Sequence, residues 1–239
     1  MDKINCHISQ QYNVELESIL DRVFAVGSLV EEQVKNAVHA VVSGDMDLSE
    51  SVISHDLLVN SLAASADKSA IQLLARQHPA AGDLRLIVAV IKSIADLEHI
   101  GGQAVNIART VTHSSEMKWP ESLYSELQKL CNHVLTILHT TMHIFLTMDA
   151  AAATSLLKRD LMIDSDYETI IQQMMVLLLK NPRYVSQALD IIWSARSLER
   201  IEDHSRNVCE NVIYFVEGKD VRHTIFKDVP KHRHENCVD

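Results

Sequence analysis

The chain repeats itself. Ser43-Gly44-Asp45 recurs as Thr147-Met148-Asp149, and Asp56-x-x-x-Asn60 recurs as Asp160-x-x-x-Asp164, both at an offset of 104 residues. Glu98-x-x-x-Gly102-x-x-x-Asn106 recurs as Glu199-x-x-x-Asp203-x-x-x-Asn207 at an offset of 101, with His99-Ile100 aligned to Arg200-Ile201. Three anchors in one order at nearly one offset mark an internal duplication. Whatever one half folds into, the other half must fold into as well.

The repeated unit reads as three helices. Leu16, Ile19, Val23, Val26, Val30, Val34, Ala37 and Val41 keep spacings of three and four, which puts them on one face of a long helix over 11–43. Ser43-Gly44-Asp45 stops that helix and starts a second, over about 45–76. His78-Pro79 breaks the second, and Asp83 is the expected N-cap region of a third over 84–112. Gly101-Gly102 lies inside the third helix and should weaken it. His113 to Pro120 is the one clear linker. The fourth helix carries Leu123, Leu127, Leu130, Val134, Ile137, Thr141, Ile144 and Met148 at alternating steps of four and three. A fifth runs from Asp149 to about Lys180, where Asn181-Pro182 ends it. The sixth spans 185–217 and stops at Gly218. Short connections within each unit imply antiparallel neighbours. The expected architecture is all-α: two tandem up-down-up three-helix bundles, 11–115 and 118–220, followed by a charged tail over 221–239.

Composition agrees and narrows the class. The chain is 47% hydrophobic but 5% aromatic, with 6 Gly and 4 Pro in 239 residues, a helix-rich balance with few turns. The formal charge of −10 argues against nonspecific nucleic-acid binding and against an electrostatic membrane anchor. No apolar run approaches the ~18 residues that a membrane-spanning helix needs. The start of the chain shows no apolar signal segment. Cys6, Cys131, Cys209 and Cys237 form no Cys-x-x-Cys pair and read as reduced thiols of a cytoplasmic protein.

The candidate site is acidic. Glu199, Asp203 and Asn207 are four apart and stack on one helical face, beside the burial stripe of Leu198, Ile201, Ser205, Val208 and Val212. Asp160 and Asp164 repeat the pattern on the preceding helix, and Asp56, Glu98 and Asn106 are the first-half counterparts. Clustered carboxylates repel unless cations neutralise them or some are protonated. Oxygen donors suit Mg, Ca or Mn, and carboxylate-rich helical sites also hold iron or zinc. A solvated polar face is the competing reading. In the first half, Gly102 replaces Asp203 and Asn60 replaces Asp164, so unequal half-sites are expected. His139 and His143, one turn apart, read as rim histidines. His232, His234 and Cys237 in the tail lack a fixed scaffold.

Catalytic signatures are missing: no P-loop, dinucleotide fingerprint, nucleophile elbow or His-Glu-x-x-His motif occurs. A ferritin-like di-iron site needs two Glu-x-x-His pairs, and Asp96-x-x-His99 is the nearest approach. A metal-dependent enzyme and a purely structural helical protein both remain open readings.

Two copies of a three-helix unit, each with Leu-Glu-(Arg/His)-Ile and an Asn eight residues after the Glu, resemble the PhoU family. Arg76-Gln77-His78-Pro79-Ala80-Ala81-Gly82-Asp83-Leu84-Arg85, Ala195 to Ile201 with Asp203-His204, and His7 to Asn13 carry the resemblance further. It implies two pseudosymmetric bundles, commonly dimeric, in the cytoplasm and without enzymatic activity. It further implies negative control of the phosphate-starvation response, by contact with the phosphate ABC transporter's ATPase and the sensor histidine kinase. Some members bind metal clusters through Glu/Asp-x-x-x-Asp motifs. On that pattern Glu199, Asp203, Asp160 and Asp164 match, with Asn207 beside them. Glu98, Asn106 and Asp56 match in the first half, while Gly102 and Asn60 depart. Glu202 replaces the small residue usual between Ile and Asp.

Overall fold

The computed structural model describes residues 10–113, 121–158 and 162–221. Seven α-helices are described: α1 (Gln10–Ser43), α2 (Met46–Gln77), α3 (Ala81–Arg109), α4 (Glu121–Thr147), α5 (Ala150–Lys158), α6 (Met162–Lys180) and α7 (Val185–Glu217). No strand occurs among the described residues. The fifth helix of the sequence reading is present as α5 and α6, and residues 159–161 between them lie outside the described residues. So do most of the expected linker, at 114–120, and all of the tail after Val221.

The turns follow residue chemistry, and they repeat. Gly44 takes a left-handed φ of 69°, and Asp45 caps α2 by accepting from the Leu48 amide at 2.9 Å. At the duplicated turn Met148 takes a φ of 51°, and Asp149 accepts from the Ala151 and Ala152 amides at 3.0 and 2.9 Å. A carboxylate at a helix start satisfies orphan amides and opposes the positive end of the helix dipole. Gly218 ends α7 at a φ of 71°. The third helix departs from expectation at both ends. It starts at Ala81 after Ala80, which makes no side-chain cap, so Asp83 sits in the first turn instead of before it. It closes at Arg109 into a 3-10 turn, Thr110–His113, in which the Thr110 hydroxyl donates to the Ile107 carbonyl.

Cross-helix bonds set the directions. Arg22 of α1 donates to Ser65 and Ser69 of α2, and Arg76 near the end of α2 pairs with Glu15 near the start of α1 at 2.9 Å. Residue numbers rise on one helix as they fall on the other, so the two are antiparallel. The Ser49 hydroxyl of α2 donates to the Ala108 carbonyl of α3 at 2.7 Å, which gives α2 and α3 the same relation. One apolar core runs through both halves. The predicted stripe of α1 from Leu16 to Ala37 is buried, and so are Leu127, Leu130, Val134, Thr141 and Ile144 of α4. Cys131 and Cys209 are free thiols inside this core, and burial pushes the Cys131 thiol up to about 12. α3 and α7 lie at the centre: α3 packs on α1, α2 and α7, and α7 packs on α3, α4, α5 and α6.

The glycine pair of α3 serves two purposes. A Cβ on buried Gly101 would lie 3.3 Å from both Gln33 Oε1 and Val59 Cγ1, and 3.4 Å from Asp56 Oδ1. Its missing side chain is what lets three helices meet. A Cβ on Gly102 would meet nothing within 4 Å. Gly101→Leu should therefore cost about 1–3 kcal/mol by overpacking, whereas Gly102→Ala should gain up to about 1 kcal/mol of helix propensity. Urea unfolding of both variants checks this, and shifts of the same sign contradict the assignment.

Candidate functional site

The acidic residues of α7 occupy one edge of the helix. Glu199 is half-buried and accepts from Arg196 Nη1, a bond that holds the guanidinium proton more tightly than usual. Asp203, one turn on, is exposed. The short connection between α6 and α7 makes them antiparallel, and Tyr167 of α6 lies within electrostatic reach of Arg196. Asp160 and the side chain of Asp164 lie outside the described residues. Asn207 is exposed and bonded to α3, its Nδ2 donating to Asp96 Oδ1 at 3.0 Å.

The first-half set is built differently. Asp56 is half-buried and accepts from Asn60 Nδ2 at 2.9 Å and Gln33 Nε2 at 3.5 Å. Glu98 and Asn106 are exposed, and Asn106 donates to Gln103 Oε1 at 3.4 Å. One carboxylate already held by two amide N–H donors is not a cation cage, and Gly102 adds no ligand. Among the described residues no three His, Cys, Asp or Glu side chains converge to hold a metal. His139, one of the i,i+4 histidines, instead contacts Glu31 of α1 at 3.2 Å.

Polar side chains do converge on the α3–α7 seam. Asp96 of α3 accepts from Asn207 Nδ2 and faces His204 Nδ1, both at 3.0 Å, while Asn211 Nδ2 donates to its second oxygen at 3.4 Å. His99 stacks on His204 with ring centroids 5.0 Å apart. A carboxylate with three partners across a helix interface makes a directional clamp, since bonds to charged groups are the stronger class. The seam also shows the duplication as contacts. Asn211 bonds Ser93 at 3.4 Å, and Thr110 bonds Ser194 at 3.2 Å. These pairs exchange under the 101-residue offset, which is the behaviour of two helices crossing about a pseudo-two-fold axis. Asp96 breaks that symmetry, because its counterpart is Ser197. A second clamp joins α4 to α6: buried Asp166 meets His133 at 2.5 Å and Lys129 at 2.9 Å.

Motif spacing does not reveal the Asp96 clamp, since its partners lie more than a hundred residues away. Asp96 lacking an acidic repeat mate is the one sequence signal that marks it. Asp96→Ala removes the shared partner of His204, Asn207 and Asn211 and should cost about 1–3 kcal/mol. Denaturant unfolding measures this, and an unchanged midpoint contradicts the clamp.

Comparison with known proteins places this geometry. The PhoU domain profile matches twice, at residues 24–111 and 127–212. A phosphate-specific transport system accessory protein PhoU homolog of Pseudomonas aeruginosa is 39% identical over 222 residues, covering 93% of this chain and 92% of the relative. The Escherichia coli K12 phosphate-specific transport system accessory protein PhoU is 37% identical over 225 residues, covering 93% of each. The crystal structure of PhoU from P. aeruginosa superposes with a TM-score of 0.82 at 37% identity, over 87% of this chain and all of that one. The phosphate transport system regulatory protein PhoU of Streptococcus pneumoniae superposes with a TM-score of 0.81 at 26% identity, over 88% of this chain and 99% of that one. With both repeats matched and relatives covered nearly end to end, the chain belongs to the PhoU family.

Proposed function

We propose that this protein is a non-catalytic regulator of phosphate uptake and a negative regulator of the phosphate-starvation response. It works in the cytoplasm by contact with the phosphate ABC transporter's ATPase and the sensor histidine kinase. The observation that carries this reading is the near end-to-end match to proteins named as accessory to phosphate-specific transport. Rigid helices of 34, 32 and 33 residues offer long outward faces for such contact. No described helix is long and apolar enough to cross a membrane, which fits a partner that reaches the transporter from outside the bilayer. We take the working unit to be a homodimer. Deleting the gene should derepress phosphate-starvation genes in phosphate-rich medium, read with an alkaline phosphatase reporter. Expression that still shuts off normally in phosphate contradicts the role.

Metal binding belongs to the α6–α7 edge on this reading. Glu199 and Asp203 stand there as carboxylates one turn apart. The first half, with Asp56 held by amides and Gly102 bare, takes no part. Mn or Fe in excess should raise the melting temperature of the wild type, since a ligand at a hundred times its dissociation constant stabilises by about 2.7 kcal/mol. Asp203→Ala should abolish that shift, whereas Glu98→Ala should leave it. A wild type indifferent to metal, or a shift lost only with Glu98, contradicts the assignment.

A further inference from the structure

The two ends of the α3–α7 seam are repeat mates, yet only one is complete. At the first end the Asp96 carboxylate gathers His204, Asn207 and Asn211. Under the 101-residue offset those positions become Ser197, Gln103, Asn106 and Thr110. All four line a groove of about 710 Å³ at the other end of the seam. The polar side chains that close on Asp96 thus have counterparts here, but the central carboxylate is a serine hydroxyl.

The surrounding positions differ as well. His99 is matched by Arg200, and Lys92 by Trp193. Arg196, Arg200 and Arg109 line the groove against a single acid, Asp190. Arg200 is exposed and bonds no described residue. A cluster of guanidinium groups is conspicuous on a chain of formal charge −10. Beside it runs an apolar strip: Val185, Leu189 and Trp193, four apart on α7, are 47%, 46% and 67% exposed. Along the outward face of α7 two apolar turns therefore lead directly into two basic ones.

We propose that this groove docks an acidic segment of a partner protein. An Asp or Glu of that segment sets its carboxylate against Arg200, Gln103 and Asn106, where Asp96 stands at the mirrored end. A neighbouring aromatic or aliphatic side chain covers Trp193 and Leu189. Arginine forks match carboxylates with two parallel bonds, and an exposed Trp flanked by Arg is the composition of an interface anchor. Charge complementarity selects the occupant: a basic or neutral segment would leave the Arg200 guanidinium unmet. Docking rests on the regulator reading for its purpose and not for its chemistry, since binding belongs to the purified chain and regulation is read in the cell.

A displayed library of random twelve-residue peptides, selected on the purified full chain and counter-selected on Arg200→Glu, tests this. Binding of the synthesised winners is then followed by Trp193 fluorescence in a Trp119→Phe background. The expected winners pair Asp or Glu with an aromatic or aliphatic neighbour and weaken as salt is raised. They should bind at least about ten-fold more weakly to Arg200→Glu, the loss of one charge-assisted pair. Ser197→Asp, which supplies the missing carboxylate from within, should block them equally while unfolding no earlier than the wild type. That variant carries the test if Arg200→Glu fails to fold. Winners lacking acids, winners indifferent to both variants, or no winners at all overturn the proposal. So does Arg200-dependent binding of inorganic phosphate or adenosine triphosphate when no acidic peptide binds.

Discussion

Antiparallel packing of α3 on α7 is the contact on which the rest of the molecule depends. Each helix is the last of its own three-helix unit, so joining them joins the two units. Because the pairs that face each other also exchange under the repeat, positions 101 and 202 fall at the centre of the crossing. Gly101 is buried there and clears room for Gln33, Val59 and Asp56 from the neighbouring helices. Glu202 is equally buried, 4% exposed, and is answered by Arg206 one turn later at 3.5 Å. A bare glycine and a buried carboxylate as repeat mates show that the two sides of the axis no longer do the same thing. Burying Glu202 without Arg206 would be costly.

The same divergence separates scaffold from site. Ser93 with Asn211, and Ser194 with Thr110, keep the symmetric pairing and hold the helices in register. Asp96 and Ser197 break it. Where the carboxylate is present, the seam satisfies itself and closes. Where it is absent, amide and guanidinium groups face an open groove bordered by Trp193. A polar network that is complete rigidifies, and one that lacks its acceptor is ready to receive a partner's. The acidic α7 edge at Glu199 and Asp203 borders this groove, since Arg196 lines the groove and bonds Glu199.

Much of this was legible in the residues. The steps of three and four along Leu16 to Ala37 name the face that is buried, because helical period and burial are the same geometric fact. Gly44-Asp45 and Met148-Asp149 name the turns, since a left-handed residue followed by a capping carboxylate is local chemistry. The same periodicity predicts the all-α class, and the Leu-Glu-(Arg/His)-Ile motif, repeated in both halves, carries the resemblance to the family. Other features depend on packing that no local pattern encodes. The start of α3 at Ala81 and its close into a 3-10 turn depend on how its ends meet their neighbours. The division between Gly101 and Gly102 needs the positions of α1 and α2. The Asp96 clamp needs the register of one half against the other. Spacing put Asn207 with the acidic stripe, whereas register gives it to Asp96.

On this account the protein acts by contact, and the outward face of α7 is where it is touched. Hydroxyl-radical footprinting of the purified protein, alone and bound to the phosphate transporter's ATPase, tests that most directly. Oxidation of Trp193 and Leu189 should fall in the complex, while exposed Leu57, 75% accessible on α2, should be unchanged. A complex that forms with Trp193 and Leu189 fully reactive would contradict the account.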